Sequence, residues 1–433
     1  MKISIKAIGY VFAVALASWV PGYSAHAAAN ETVLALAKKE RPALIETLKE
    51  LVAIESGSRQ REELDKIANV LAARLKALGS KVELIEPAEA DTVRLSDTPE
   101  KIGRMVKATF TGTGTRKILL MAHMDTVYPK GMAAGQPFRI DGDHIFGLGI
   151  ADQRGGVATI LHTLSILKSM NFREYGTLTV FINGDEEIGS PGSRNHHTRN
   201  GAEHDAVMSF EGGGSPEADR VRLATSGRAL ALLTVRGRAS HAGAAPERGI
   251  NALDEIAHQI LQMRDLSNPK VGLKVNWTLA RAGIVSNMIP PGAQATGDVR
   301  VERVADFDGV EQQLRERIKK RLLPESSVEL VFERQFPPLE PTPASRALSA
   351  YSQIIYQEIG RKLTVLDTPL GGATDAAFAA LKAKGPVVEG FGLRGFGAHT
   401  TNAEYILMSS IEPRLYLATR MIMDISSGKA PLQ

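Results

Sequence analysis

The chain of 433 residues, 43% hydrophobic and 23% charged, has a globular composition and is longer than one hydrophobic core usually serves. Two or more domains are expected, and a disordered or fibrous protein is excluded. A formal charge of +4 without any run of like charges leaves no basic stripe for nucleic acid. Cysteine is absent, so any transition-metal site has to be built from His, Asp and Glu.

Lys2 and Lys6 precede the apolar run 7–20, followed by Pro21, Gly22 and Ala25-His-Ala27. This pattern predicts a secretory signal over residues 1–27, a periplasmic or secreted mature protein, and no stable membrane anchor once it is removed. Removal leaves 50 basic against 48 acidic residues. A helix is predicted over 42–54 with Pro42 in its first turn, then a second carrying Leu64, Ile67, Leu71 and Leu75 at helical spacing until Gly79. Strands are predicted at 81–85, 105–110 and 117–121, a helix at 156–170, and strands at 177–183 and 206–210. This alternation implies an α/β fold, a mixed and largely parallel sheet flanked by helices. From 229 to 334 the pattern reads as two β-runs, a helix at 251–263, further β-runs, a helix at 307–322 and a last β-run. That is an inserted α+β unit of βαββαβ, ferredoxin-like type. Helices at 344–359, 374–381 and 413–425 follow. The expected division is 28–226 and 336–433 for the larger domain, with 227–335 inserted.

Three β-runs end in candidate ligands: Leu-Leu-Met-Ala-His123-Met-Asp125, Val-Phe-Ile-Asn-Gly-Asp185-Glu186-Glu187, and Val-Met-Ser-Phe-Glu211. In open α/β sheets the carboxyl ends of strands line the ligand crevice, so these residues are expected to meet. His123 and Asp125 leave an extended backbone on the same side and could converge on one ion, or could be a core histidine with a carboxylate partner. Asp152, after a Gly-rich turn, could join them, and His399 could close the shell. Two imidazoles and three carboxylates suit two zinc-like ions when one carboxylate bridges. Of the adjacent Glu186 and Glu187, one is expected to bind metal and the other to accept a proton from the attacking water.

Together with Gly149-Ile-Ala-Asp152, Asp185-Glu-Glu-Ile-Gly-Ser190, Ala239-Ser-His-Ala-Gly243 and Gly397-Ala-His399, these motifs resemble the M20 family of co-catalytic zinc peptidases, most of all its bacterial glutamate carboxypeptidase branch. The resemblance implies His123, Asp152, Glu187, Glu211 and His399 as ligands of two zinc ions (cobalt or manganese as alternatives), with Asp152 bridging. It implies Glu186 as general base and Asp125 as the residue orienting His123. It makes the inserted unit a lid and dimerisation domain whose His241 serves the partner subunit of a homodimer. Asn287, Arg300 and Ala373 fall at substrate-binding positions. Four residues depart from the family pattern. Gln153 follows Asp152 across a peptide expected to be cis, and Ala373 and Ala398 replace a glycine and an aromatic residue. Phe336 stands where glutamate-specific members carry an arginine, with Arg334 two residues earlier as a possible substitute.

The implied activity is release of a C-terminal amino acid, glutamate-type or also apolar, from an N-acyl or short peptidyl substrate. An N-acyl-amino-acid deacylase or an aminopeptidase of the same fold is the alternative enzyme reading. A catalytically silent binding protein is the alternative from another class, although no ligand and no base is lost.

Overall fold

The computed structural model describes residues 28–400 and 403–433; the signal expected at 1–27 lies outside the described residues. The main sheet runs, in spatial order, Lys81–Ile85, Met105–Thr111, Thr177–Asn183, Lys117–His123, Ala206–Ser209, Val387–Glu389, Ala218–Arg222 and Thr364–Leu366, with Gly214–Ser215 paired to Ala218–Arg222. The four central strands, from Thr177–Asn183 to Val387–Glu389, are mutually parallel. Their carboxyl ends therefore share one edge, where His123 lies opposite Asn183 and Met121 and Glu389 lie opposite Ser209.

The central strands are apolar throughout because both faces are covered. Period-two alternation divides Lys117–His123 between two cores. Ile118, Leu120 and Ala122 pack with Val157 and Tyr416 from helices Gly155–Ser169 and Ile411–Ser426, while Leu119 and Met121 pack with Phe181, Val207 and Ala376.

The first helix is longer than expected: it runs Glu31–Val52, capped by Asn30 on the Val33 N–H, with Pro42 in its interior. An interior proline costs about 3 kcal/mol. Val33, Ala37, Leu44, Leu48 and Leu51 are all fully buried, and the four larger ones, at about 1.5–3 kcal/mol each, outweigh it. The second helix, Arg61–Leu78, stops at Gly79, whose φ of 107° puts it in the left-handed region that glycine tolerates.

The segment from Gly227 to Phe336 is a strand–helix–strand–strand–helix–strand unit with its own sheet, ordered Lys274–Ala282, Gly292–Val301, Gly227–Arg236, Ser327–Phe336, and its own core around Leu233, Ile256, Val299 and Leu314. One strand, not two, precedes its first helix. Residues 237–251, rich in small residues and broken by Pro246, form isolated bridges such as Arg238 to Ile250 and His241 to Met288 and one 3-10 turn, Pro246–Arg248, in place of a second strand. The second helix ends at Arg317, shorter than the predicted 307–322.

Among the described residues of the last hundred there are, besides the expected helices, four strands of two or three residues each, too short for any periodicity to reveal. Two of them, Gly395–Phe396 and Tyr405–Leu407, form a small sheet with His144–Phe146 and Arg139–Asp141. That sheet brings the segment around His399 beside the loop that carries Asp152. Among the described residues no helix is long and apolar enough to cross a membrane.

Helix Gly155–Ser169 begins against the strand that ends before Glu211: a Cβ on Gly156 would stand 1.9 Å from the Phe210 carbonyl oxygen. Gly156→Ala is expected to cost about 1–3 kcal/mol, the usual penalty of overpacking, read as a lowered urea midpoint. An unchanged midpoint would show that the helix can retreat from Phe210.

Candidate metal centre

Five side chains meet at the shared strand edge. His123 Nε2 lies 3.0 Å from Asp152 Oδ1 and 3.5 Å from Glu211 Oε1, while His399 Nε2 lies 3.2 Å from both Asp152 Oδ2 and Glu187 Oε2. Each oxygen of Asp152 thus faces a different group of one imidazole and one further carboxylate. Ligand atoms of His123, Asp152 and Glu187 lie within 4.8 Å of one another, so the two groups adjoin. Asp125 stands behind His123, its Oδ1 3.2 Å from Nδ1. It also accepts from the N–H groups of Glu186 (3.2 Å) and Glu187 (3.0 Å) and from the Ser58 hydroxyl (2.7 Å). One buried carboxylate therefore joins the two strand ends that carry His123 and the Glu pair, and it orients the imidazole.

The charge balance of the cluster is acidic. Burial pushes the carboxyls of Glu186 and Glu211 well above their usual range and that of Glu187, with Asp152 repelling it, up to about 7. Burial would also raise Asp152, but its bonds to His123 and His399 hold it well below the ordinary value. Burial would lower His123, yet Asp125 and Asp152 raise it well above the usual imidazole range, and Asp152 and Glu187 raise His399 to about 10. Such crowding of carboxylates around two imidazoles is the electrostatic setting that divalent cations satisfy. The donor atoms fit: the set is nitrogen and oxygen only, as zinc, cobalt or manganese accept. Glu187 Oε1 is also buried without a hydrogen-bond partner.

The structure adds a residue that the sequence reading missed. Glu404 is fully buried, and its carboxylate accepts from the N–H groups of Gly149 (2.8 Å), Ala151 (2.9 Å) and Asp152 (3.1 Å). The Tyr128 hydroxyl lies 2.8 Å from Glu404 Oε2 and 2.9 Å from the Thr400 carbonyl oxygen, beside His399, whose φ of 62° is left-handed. Glu404 thereby holds the backbone of Asp152 and the segment of His399 together. A lone glutamate in a polar stretch carries no periodic or spacing signal. The Asp152–Gln153 peptide is cis, as expected. The Gln153 side-chain amide donates to Glu211 Oε1, so this departure from the family pattern contacts one of the five acids and imidazoles.

A cavity of about 310 Å³ opens beside the cluster. Asp152, Glu186, Glu187, Glu211 and His399 form one wall, and Arg228, Arg300, Phe336 and Gly371–Ala373 the other. Arg300 and Ala373 therefore line this cavity. Arg334 does not. The ladder between Gly227–Arg236 and Ser327–Phe336 shifts register, pairing Arg228 with Phe336 but Ala229 with Arg334. The irregularity turns Arg334 to the opposite face of the sheet from Phe336, where it bonds Asp308 (2.6 Å) and Glu311 (2.9 Å). It cannot substitute for a cation at Phe336. His241 and Asn287 are exposed neighbours outside the cavity, with the Ala242 N–H donating to the Asn287 carbonyl oxygen at 2.9 Å.

Residues 119–424 match the peptidase family M20/M25/M40, and the chain belongs to that family: it is a metallopeptidase, a hydrolase. It is 41% identical over 419 residues to carboxypeptidase G2 of Pseudomonas sp. (strain RS-16), covering 97% of this chain and 98% of that one. Its fold is similar to a tripeptidase from Staphylococcus aureus subsp. aureus Mu50 (TM-score 0.73, 19% identity, 89% of this chain and 99% of that one). It is also similar to the Bacillus subtilis YXEP protein, a dinuclear metal-binding peptidase of the M20 family (TM-score 0.63, 16% identity, 90% of this chain and 99% of that one).

Glu404→Gln turns an amide N–H₂ toward backbone donors and should unseat the Asp152 loop. Metal affinity is expected to fall about 10–100-fold, as for loss of a partner that orients a ligand, measured by chelator competition, with the circular dichroism spectrum retained. Unaltered affinity would show that the loop holds Asp152 without Glu404.

Proposed function

We propose that this enzyme is a dizinc carboxypeptidase that releases a C-terminal amino acid from N-acyl or short peptidyl substrates, glutamate-type and apolar residues included. The observation that carries the reading is the placement of two guanidinium groups, Arg228 and Arg300, across one cavity from the acidic cluster. A cationic wall attracts the free carboxylate that marks a chain end. An aminopeptidase needs the reverse, an acidic partner for the substrate ammonium. Hydrolysis of N-acyl amino acids places the same free carboxylate at the same wall, so the deacylase chemistry falls within this reading.

His123, Asp152 and Glu211 would hold one cation and His399, Asp152 and Glu187 the other. When bound, such ions lower the pKa of a coordinated water to about 7 and polarise the scissile carbonyl. Glu186 lines the cavity beside them and takes the proton of the attacking water, then returns it to the leaving nitrogen. Asp125 fixes its position through the backbone of residues 186 and 187. Zinc suits this donor set, as do cobalt and manganese. The leader-like residues 1–27 support a periplasmic or secreted location.

A homodimer formed through residues 227–335 completes the proposal. Strand Lys274–Ala282 is the edge of its sheet. On it Leu279 is 62% exposed, just past its end Ile284 is 76% exposed, and Leu261 on the adjoining helix is 60% exposed. Unpaired backbone groups beside apolar side chains invite a second copy. His241, which its own cavity does not use, would then serve the partner.

The reading is tested by metal analysis together with hydrolysis of N-acyl amino acids varied at the C-terminal residue. Glu186→Gln is expected to lose about 10²–10⁴-fold in kcat with both metals retained, and Glu187→Ala to lose metal as well. Equal metal loss in both would reverse the assigned roles. Mixing His241→Ala chains with Glu186→Ala chains should restore activity through hybrid sites. A fully active monomer at assay concentration would end the dimer proposal.

A further inference from the structure

We infer that Ser190 and Asp375 form a second anchor for the general base Glu186: a buried hydroxyl–carboxylate bond that locks the turn carrying Glu186 to the loop 371–374 on the cavity wall. Both act on Glu186 through the backbone and are positioning residues, so the inference rests on the reading of Glu186 as base.

The Glu186 carboxylate lines the cavity and receives no hydrogen bond among the described residues. Its place is therefore set by the turn beneath it. That turn, Glu186–Ile188, is closed by the Gly189 N–H on the Glu186 carbonyl oxygen and the Ser190 N–H on the Asp185 carbonyl oxygen, each at 2.8 Å. Asp125 holds its start through the N–H groups of Glu186 and Glu187. Its end is Ser190, fully buried and at a φ of 53°. Glycine is the ordinary choice for a left-handed backbone, so a serine here needs a compensating contact. Asp375 supplies it: the Ser190 hydroxyl donates to Asp375 Oδ1.

Asp375 is free to receive that bond. It stands before the short helix Ala376–Ala380, yet its side chain caps none of the N–H groups of that helix. Its Oδ2 accepts instead from Asn183 Nδ2 at 2.8 Å, with His197 Nε2 3.2 Å away. Burial would raise its carboxyl, but His197 and the Ser190 hydroxyl hold it below the ordinary value, so it remains an acceptor. Asn183, Ser190, His197 and Asp375 are all buried, where a charge-assisted bond is strong and little screened. The residues just before Asp375 form the wall that Glu186 faces. The carbonyl oxygens of Gly371 and Gly372 there accept from Arg300 Nη1 at 3.0 Å and from the Ser226 N–H at 2.8 Å. One carboxylate thus fixes the base and the opposing wall relative to each other.

The test uses the metal-loaded full-length protein and hydrolysis of N-acyl amino acids. Ser190→Gly removes the hydroxyl and suits the left-handed backbone, so the urea midpoint and metal content are expected to stay at wild-type values. Its kcat should fall about 10–100-fold, the scale of an ångström of misplacement, with KM unchanged. Placed in Glu186→Gln, the same substitution should cost less than about twofold, because the group it positions is gone. Asp375→Asn, which keeps one acceptor oxygen, should retain more kcat than Asp375→Ala. Wild-type kcat in Ser190→Gly would overturn the inference, as would a kcat loss matched by loss of metal or an equal fold-loss in the Glu186→Gln background. Undiminished kcat in Glu186→Gln alone would instead end the base reading, so the two failures are distinguishable.

Discussion

The arrangement of the site depends on one shared carboxylate. Asp152 presents its two oxygens to His123 and His399, residues 276 positions apart in the chain. Its backbone N–H is in turn anchored by Glu404. Each of these contacts is needed because the others exist. Two imidazoles can approach one carboxylate from opposite sides only if its main chain is held, and a turn that places it correctly leaves N–H groups that something buried must accept. Glu404 meets that demand from the small sheet containing Tyr405–Leu407, which also carries the segment of His399. Moving either element would disturb both halves of the cluster.

Around this point the parallel strands act as a jig. Thr177–Asn183, Lys117–His123, Ala206–Ser209 and Val387–Glu389 end at one level, so the residues just beyond them meet without long loops. Asp125 then ties two of those ends together by accepting from the backbone of Glu186 and Glu187 while bonding His123. The result is rigid where the acids are crowded, which electrostatics requires: carboxylates free to relax would move apart rather than stay poised for cations.

On the opposite wall of the cavity, Arg228, Arg300 and Phe336 come from the sheet of residues 227–336 and follow a different logic. There the chemistry is set by sheet register. Arg228, Arg300 and Phe336 share a face because Gly227–Arg236 is the central strand between two antiparallel neighbours, and the irregularity at residues 334–336 decides which side chains that face contains. Arg334 is lost to solvent-side acids by this slip alone. The guanidinium groups left at the cavity are those of Arg228 and Arg300 on two neighbouring strands.

The amino-acid sequence by itself determined which apolar strands stop in imidazole and carboxylate residues and the strand–helix alternation, while from residue 227 onward it suggested two β-runs where one strand stands before the first helix. These are local signals: an apolar run that stops in His123, Glu186 and Glu187, or Glu211 reads the same before and after folding. The motifs also determined membership in the M20 family. Other features were settled only by tertiary structure. Pro42 sits inside a helix because buried side chains on both sides of it outweigh its penalty. Strands of two or three residues near the C-terminus exist because existing edges offer them partners, not because their residues prefer extension. The reach of Glu404 to the Asp152 loop, the bond from Arg300 to the Gly371 carbonyl and the turning of Arg334 away from the cavity depend on contacts between residues distant in sequence or on a register slip. No periodicity encodes such contacts; they are decided when buried donors and acceptors have to be matched in space.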